Sequence, residues 1–252
     1  MKKLIIAALL PLLFFATSAF GQENRNSENE DVLPGVKTIF FILGCLDEYM
    51  GRAIIEKDAD GVSSFYSSEV QASQVFEKYL RLLVAEESIH TEIRKEISEG
   101  GHISFHSPEL YQRINSMYRY SFDNSHTMIK PHKNPNGPYV RMVEAFISMD
   151  VFQGQDKTAK LPYLAGAYAR YGHHFDDNNF ALRTANAGHK ISLIAELLKE
   201  LDCKDVTHEK SDPKLIPMTH TLKFTASTEI KKLFESVSKE INGRDQRLPG
   251  EF

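Results

Sequence analysis

The chain has 252 residues, 42% of them apolar, with 30 Lys and Arg against 34 Asp and Glu and a formal charge of −4. That size allows one large domain or two small ones, and the mildly acidic balance argues against nucleic acid or an anionic membrane as the main partner. Tryptophan is absent, so any aromatic platform has to be built from Tyr and Phe.

Residues 1–21 have the layout of a secretory signal peptide. Met1-Lys2-Lys3 is a short cationic head, Leu4 to Ala16 is apolar apart from Pro11, and Ala19 and Gly21 are small where an export peptidase reads. An apolar run of about 13 residues falls short of the ~20 needed to cross a bilayer, so no membrane span is expected after cleavage. No cysteine lies near the cut to receive a lipid. Mass analysis of exported material is expected to find an N-terminus at Gln22 or within about two residues of it, by the peptidase rule above; an intact Met1 on a membrane-bound form would refute this. Loss of Lys2 and Lys3 takes the mature chain to −6. Residues 22–31 (QENRNSENED) contain nothing apolar and read as a disordered lead-in. A single helical domain is expected over 32–243, with 244–252 as a flexible tail.

Helical periodicity dominates that domain. Val36, Ile39, Phe40, Leu43, Leu46, Met50 and Ile54 share a stripe over 36–57, closed by Gly61. Ser68-Glu69-Val70-Gln71 reads as a capping box opening a helix that runs towards Ser98, where Gly100-Gly101 stops it. Ser107-Pro108-Glu109 announces a third helix, and 123–138 (DNSHTMIKPHKNPNGP) a long loop, a kind often functional. Helices follow over 139–152, 161–171, 180–201 and 228–241. Between the last two the period changes: Ile216, Met218, His220, Leu222 and Phe224 alternate with polar residues as in a half-buried strand, for which 204–208 is the partner. No internal repeat is visible. The fold class expected is mostly α, about seven helices in a bundle, with a two-stranded antiparallel element near the C-terminus.

Three groups of residues bear on chemistry. Glu87 and His90, three apart on one face of the expected second helix, have a spacing used in di-iron carboxylate bundles. Asp47 and Asp150 would point inward from two other helices and complete a metal set, although such bundles need two Glu-x-x-His motifs and this chain has one. The stretch 170–190 gathers Arg170, His173, His174, Asp176 and Arg183, with Asn186 and Lys190 at helical spacing beyond them. These are the candidate ligand-binding residues, with an anion on the Arg183–Asn186–Lys190 flank, while Asp176 and Asp177 serve equally well as caps for a helix opening at 180. His102 and His106 lie i, i+4 but in an extended segment about 13 Å apart, too far to share an ion. His220 reads as a core histidine, and Cys45 and Cys203 as small core residues or, after export, a disulfide.

No nucleophile elbow, phosphate-binding loop, dinucleotide fingerprint or His-Glu-x-x-His motif occurs. The function this implies is an exported soluble protein that binds a small molecule, glycan or envelope protein without catalysis, with no resident cofactor and no nucleic acid. The alternatives are a metal-dependent hydrolase or oxidase, which brings in a divalent metal, and a purely structural envelope protein.

Overall fold

The computed structural model describes residues 37–46, 52–54, 60–121, 128–129, 140–212, 214–215 and 217–241, all within one compact unit, Leu33–Phe252. The order of elements is α1 (Thr38–Cys45), β1 (Arg52–Ile54), β2 (Gly61–Phe65), α2 (Val70–Glu86), β3 (Arg94–Ile97), β4 (Ile103–His106), α3 (Pro108–Asn115), β5 (Arg119–Ser121), β6 (Met128–Ile129), β7 (Val140–Phe146), α4 (Lys157–Tyr171), β8 (Gly172–His174), β9 (Asn179–Ala185), α5 (Gly188–Glu200), β10 (Lys204–Lys210), β11 (Thr219–Thr225) and α6 (Thr228–Glu240).

The mostly-α bundle expected from periodicity is therefore corrected to a mixed α/β fold, and a helical domain over 32–243 goes with it. Four of the expected helices change identity where the backbone turns left-handed or where a strand partner claims the segment; the one expected over 36–57 ends at Cys45, and Arg52–Ile54 is β1, paired with β7. The helix from Ser68 stops at Glu86; Ser88 then sits at φ 52°, and the chain leaves as β3. The expected helix 180–201 is β9 followed by α5, with Asn186 at φ 50° between them. The expected helix 139–152 is β7, held by β1 on one side and by β5 and β6 on the other. The C-terminal hairpin is present but is half of a four-stranded antiparallel sheet of order β10-β11-β9-β8.

The described elements fall into two matching series. A helix (α1), a strand (β2), a helix (α2), a hairpin (β3–β4) and a helix (α3) are repeated as α4, β9, α5, β10–β11 and α6. Sheet order repeats as well: β2-β4-β3 in the first series, β9-β11-β10 in the second. No sequence periodicity announces this duplication.

The two series meet along α1 and α4. At their crossing a Cβ on Gly44 would stand 2.0 Å from the Tyr163 carbonyl oxygen, and one on Gly166 would stand 1.9 Å from that of Phe41. The contact is reciprocal: each glycine lies three residues after the carbonyl that its partner touches. Only a residue without a side chain lets two helix backbones approach so closely. The Cys45 thiol donates to the Gly166 carbonyl (3.1 Å) across the same seam. Burial pushes that thiol up to about 12, so it is inert, and Cys45 and Cys203 are both free and buried.

The helices of the second series lie on one side of its sheet. Phe180 and Phe224, from β9 and β11, meet Phe234 of α6, which stacks on Tyr168 of α4 at 4.0 Å between ring centroids. Among the described residues no helix is long and apolar enough to cross a membrane.

Candidate nucleic-acid interface

Alternation along the strands settles what the second sheet shows on its other side. In β11 His220, Leu222 and Phe224 are buried while Thr219, Thr221, Lys223 and Thr225 are half-buried. In β9 the buried set is Phe180, Leu182 and Thr184, with Ala181 covered by its neighbours on the opposite side and Arg183 exposed. Registry then places Thr221 between Arg183 and Glu209. The next outward row runs Thr207, Lys223, Ala181, His173 across all four strands. At ~4.8 Å per strand that row is ~14 Å wide. Together the two rows present threonine hydroxyls, an imidazole, two cations and the Glu209 carboxylate, and no large aliphatic side chain. Lys223 pairs with Glu209 at 3.1 Å and lies 5.8 Å from the centre of the Phe175 ring.

The 170–190 residues do not form one site. Arg183 and His173 lie on this outer face. Asp176 caps the β8–β9 turn, accepting from the amides of Asn178 (2.9 Å) and Asn179 (2.9 Å) and from the Asn179 side chain (2.8 Å). The Asn179 side chain, followed by those two amides, holds its carboxyl below the usual range. A helix cap was the sequence-based reading of Asp176; because 179–185 is strand, the turn takes that role. His174 is half-buried at the end of β8, opposite Phe180. Asn186 closes the β9–β11 end by exchanging hydrogen bonds with Met218 (2.8 and 2.9 Å).

Arg170 and Lys190 are buried. The Arg170 guanidinium binds the Glu69 carboxylate at 3.0 and 3.1 Å and the carbonyls of Cys45 (3.1 Å) and Ser64 (2.8 Å), lying 4.2 Å from the Phe65 ring centre. Lys190 donates to the carbonyls of Leu43 (3.1 Å) and Leu46 (2.9 Å). A cation at those last carbonyls meets the negative end of α1. Both side chains fasten the second series to the first and present no charge to solvent.

The expected metal set is not assembled. Glu87 follows the end of α2 and takes a two-pronged contact from Arg113 (2.6 and 2.7 Å). His90 is exposed in the following loop, and Asp150 pairs with Arg119. Asp47 lies outside the described residues, as do His126 and His132. Among the described residues no group of three or more His, Cys, Asp or Glu is placed to hold a metal ion. These residues do not fit such a group.

His220 lies against His208, Nδ1 to Nε2, at 3.0 Å. Desolvation lowers the pKa of both, with Lys210 adding to it for His208 and His208 then Lys210 for His220. The unfolded chain therefore takes up protons first as pH falls. Stability from this pair is complete above pH 6.5 and is lost as pH drops from there towards the lowered folded values. The melting temperature is expected to fall across that window, and His208→Gln to flatten the fall; identical profiles would refute the pairing.

No protein-family model matches the chain, and no curated protein does. Solved structures similar to it include those of the homing endonuclease I-DmoI. One set of mesophilic variants is 12% identical, covering 78% of this chain and 86% of that one at a TM-score of 0.48. I-DmoI in complex with DNA and Ca is 10% identical, with the same coverage and a TM-score of 0.47. A point variant with its target DNA and Mg is 12% identical, covering 81% and 94% at 0.49. The likeness is loose and concerns fold alone.

Those structures are of an endonuclease on its DNA target, solved with Ca, Mn or Mg. Net charge sums over the whole chain, whereas the side chains of one sheet face set the local field. Lys223, Thr219 and Thr221 were not among the sequence-based candidates, although the alternation over 216–225 already put them on the outer side.

Proposed function

We propose that this protein binds nucleic acid, laying a duplex across the outer face of the β10-β11-β9-β8 sheet. The observation that carries the reading is that face itself. Arg183 is exposed and Lys223 half-buried there, Thr219, Thr221, Thr225 and Asn179 lie around them, and the packing helices are on the reverse. Arg and Lys with Thr and Asn hydroxyl and amide groups are the side chains that contact phosphate oxygens and sugar, and antiparallel strands are established readers of a duplex groove. The series β2-β4-β3 supplies a second, matching sheet whose outward residues include Ser64, Ser104, Arg94 and Glu96.

The test is fluorescence anisotropy with a labelled duplex at rising salt, run with Mg²⁺, Mn²⁺ or Ca²⁺ and again with EDTA. Two phosphate-contacting cations give a slope of about −2 in log K against log salt. Arg183→Ala is expected to weaken binding and reduce that slope by about one. No binding at about 50 mM salt, where such contacts are strong, would overturn the reading, as would unchanged binding by a combined Arg183→Ala and Lys223→Ala variant.

A further inference from the structure

We propose that the groove beside Phe175 seats one unpaired nucleobase, stacked on the Phe175 ring with its flanking phosphate at Lys223; this rests on the nucleic-acid reading above. The groove holds about 430 Å³ and opens to solvent beside the β8–β9 turn, lined by Phe175, Asp176, Asn179, Asp205, Thr207, Lys223 and Thr225 and bounded from the inner side of the sheet by Phe180 and Phe224. That volume lies within the ~300–1,000 Å³ of small-ligand sites.

Its parts are held in place before any ligand arrives. The Phe175 amide donates to the Asn179 carbonyl at 2.9 Å, and the Asp176 cap locks the turn that carries the ring. The Thr225 hydroxyl joins the Asn179 side-chain oxygen (2.9 Å) and the Asp205 carboxylate (3.2 Å). Electrostatics sorts the ligand. Asp176 and Asp205 rim the groove and repel phosphate, so a neutral planar group enters and the anion stays outside. The cation at hand is Lys223, whose ammonium lies over the Phe175 ring, 5.8 Å from its centre, and on binding exchanges the ring face and Glu209 for phosphate. An aromatic face next to a cation is how proteins hold unpaired bases without reading sequence. Lys223 also belongs to the duplex-facing row, two residues or roughly 7 Å along its strand from the level of Arg183. A strand crossing that face therefore delivers its end to Phe175, and the ligand class is a duplex with a single-stranded overhang or junction.

Anisotropy with a blunt duplex and with the same duplex bearing a short adenine overhang tests this. The overhang is expected to tighten binding by about 5- to 150-fold, the worth of one stacked base. Phe175→Ala should remove that gain while blunt-duplex affinity and melting temperature hold, and Phe175→Trp should keep it. Equal affinity of the wild type for both duplexes overturns the inference and leaves duplex binding standing, as does a gain that survives Phe175→Ala. Failure to bind either duplex overturns both.

Discussion

Gly166→Ala is expected to lower the melting temperature by roughly 6–12 °C, or to prevent folding. Inside a helix alanine is ordinarily the better residue, by ~1 kcal/mol. Here the added Cβ would sit 1.9 Å from the Phe41 carbonyl oxygen and 2.8 Å from its carbon. These are backbone atoms of a buried helix, so no flexible side chain can swing aside. Overpacking costs typically ~1–3 kcal/mol and sometimes more, and the upper end applies because α1 and α4 would have to separate along their length. At about 2–4 °C per kcal/mol for a chain of this size, that gives the stated range. Gly44→Ala should do the same, since its Cβ would meet the Tyr163 carbonyl oxygen at 2.0 Å. Gly61→Ala, with nothing within 4 Å, is the control and should change stability by less than ~0.5 kcal/mol. Thermal melts of the three variants decide it. A neutral Gly166→Ala would mean the helices are not packed backbone to backbone.

That crossing also marks where reading the sequence stopped. Local signals were legible: Ser107 caps α3 by accepting from the Leu110 amide at 3.2 Å, and α6 opens at Thr228. Phe180 shows the limit. It fits a helical stripe with Ala187 and Ile191 and also a strand alternation with Leu182 and Thr184, and a short apolar run satisfies both periods. What decides between them is a hydrogen-bonding partner, β11, some forty residues further on. Val140–Phe146 goes the same way, as a strand between β1 and β5. The duplication stayed hidden because the two series share geometry and few residues. The glycines at 44 and 166 are its clearest trace, with bulky or small apolar neighbours that no repeat pattern singles out.

The candidate site was legible in part for the same reason. Arg183 and His173 were singled out as charged residues in a polar window, and they lie on one face only because β8 and β9 pair. Lys223 entered as the polar half of an alternation, a pattern that says which way a side chain points and not what it meets. Arg170 and Lys190 carry the opposite lesson. A cation in a polar stretch reads as a ligand contact, yet both are buried and hydrogen-bonded to main-chain carbonyls.

Arg170→Met is therefore expected to unfold the protein at a temperature about 6–20 °C lower while doing nothing specific to ligand affinity. The guanidinium is 3% exposed as a residue and bonds Glu69, Cys45 and Ser64 at once. It ties the tail of α4 to the end of α1, to β2 and to the turn before α2. Methionine keeps the volume of the stem but strips the Glu69 carboxylate of its two-pronged partner in a site where that carboxylate's side chain is 14% exposed. Breaking a buried ion pair from one side costs ~3–5 kcal/mol, and the two carbonyls lose their donors as well. Removing both partners, as Arg170→Met with Glu69→Met, should recover part of the loss, because no charge is then left unpaired. Arg170→Lys should recover little, since a single ammonium cannot span a carboxylate and two carbonyls as the planar fork does. The comparison that separates anchoring from binding is with Arg183→Ala, which should leave the melt within ~0.5 kcal/mol of wild type and weaken duplex binding. If Arg170→Met melted like the wild type but bound nucleic acid poorly, Arg170 would belong to the interface, and the join between the two series would rest on Gly44, Gly166 and Lys190 alone.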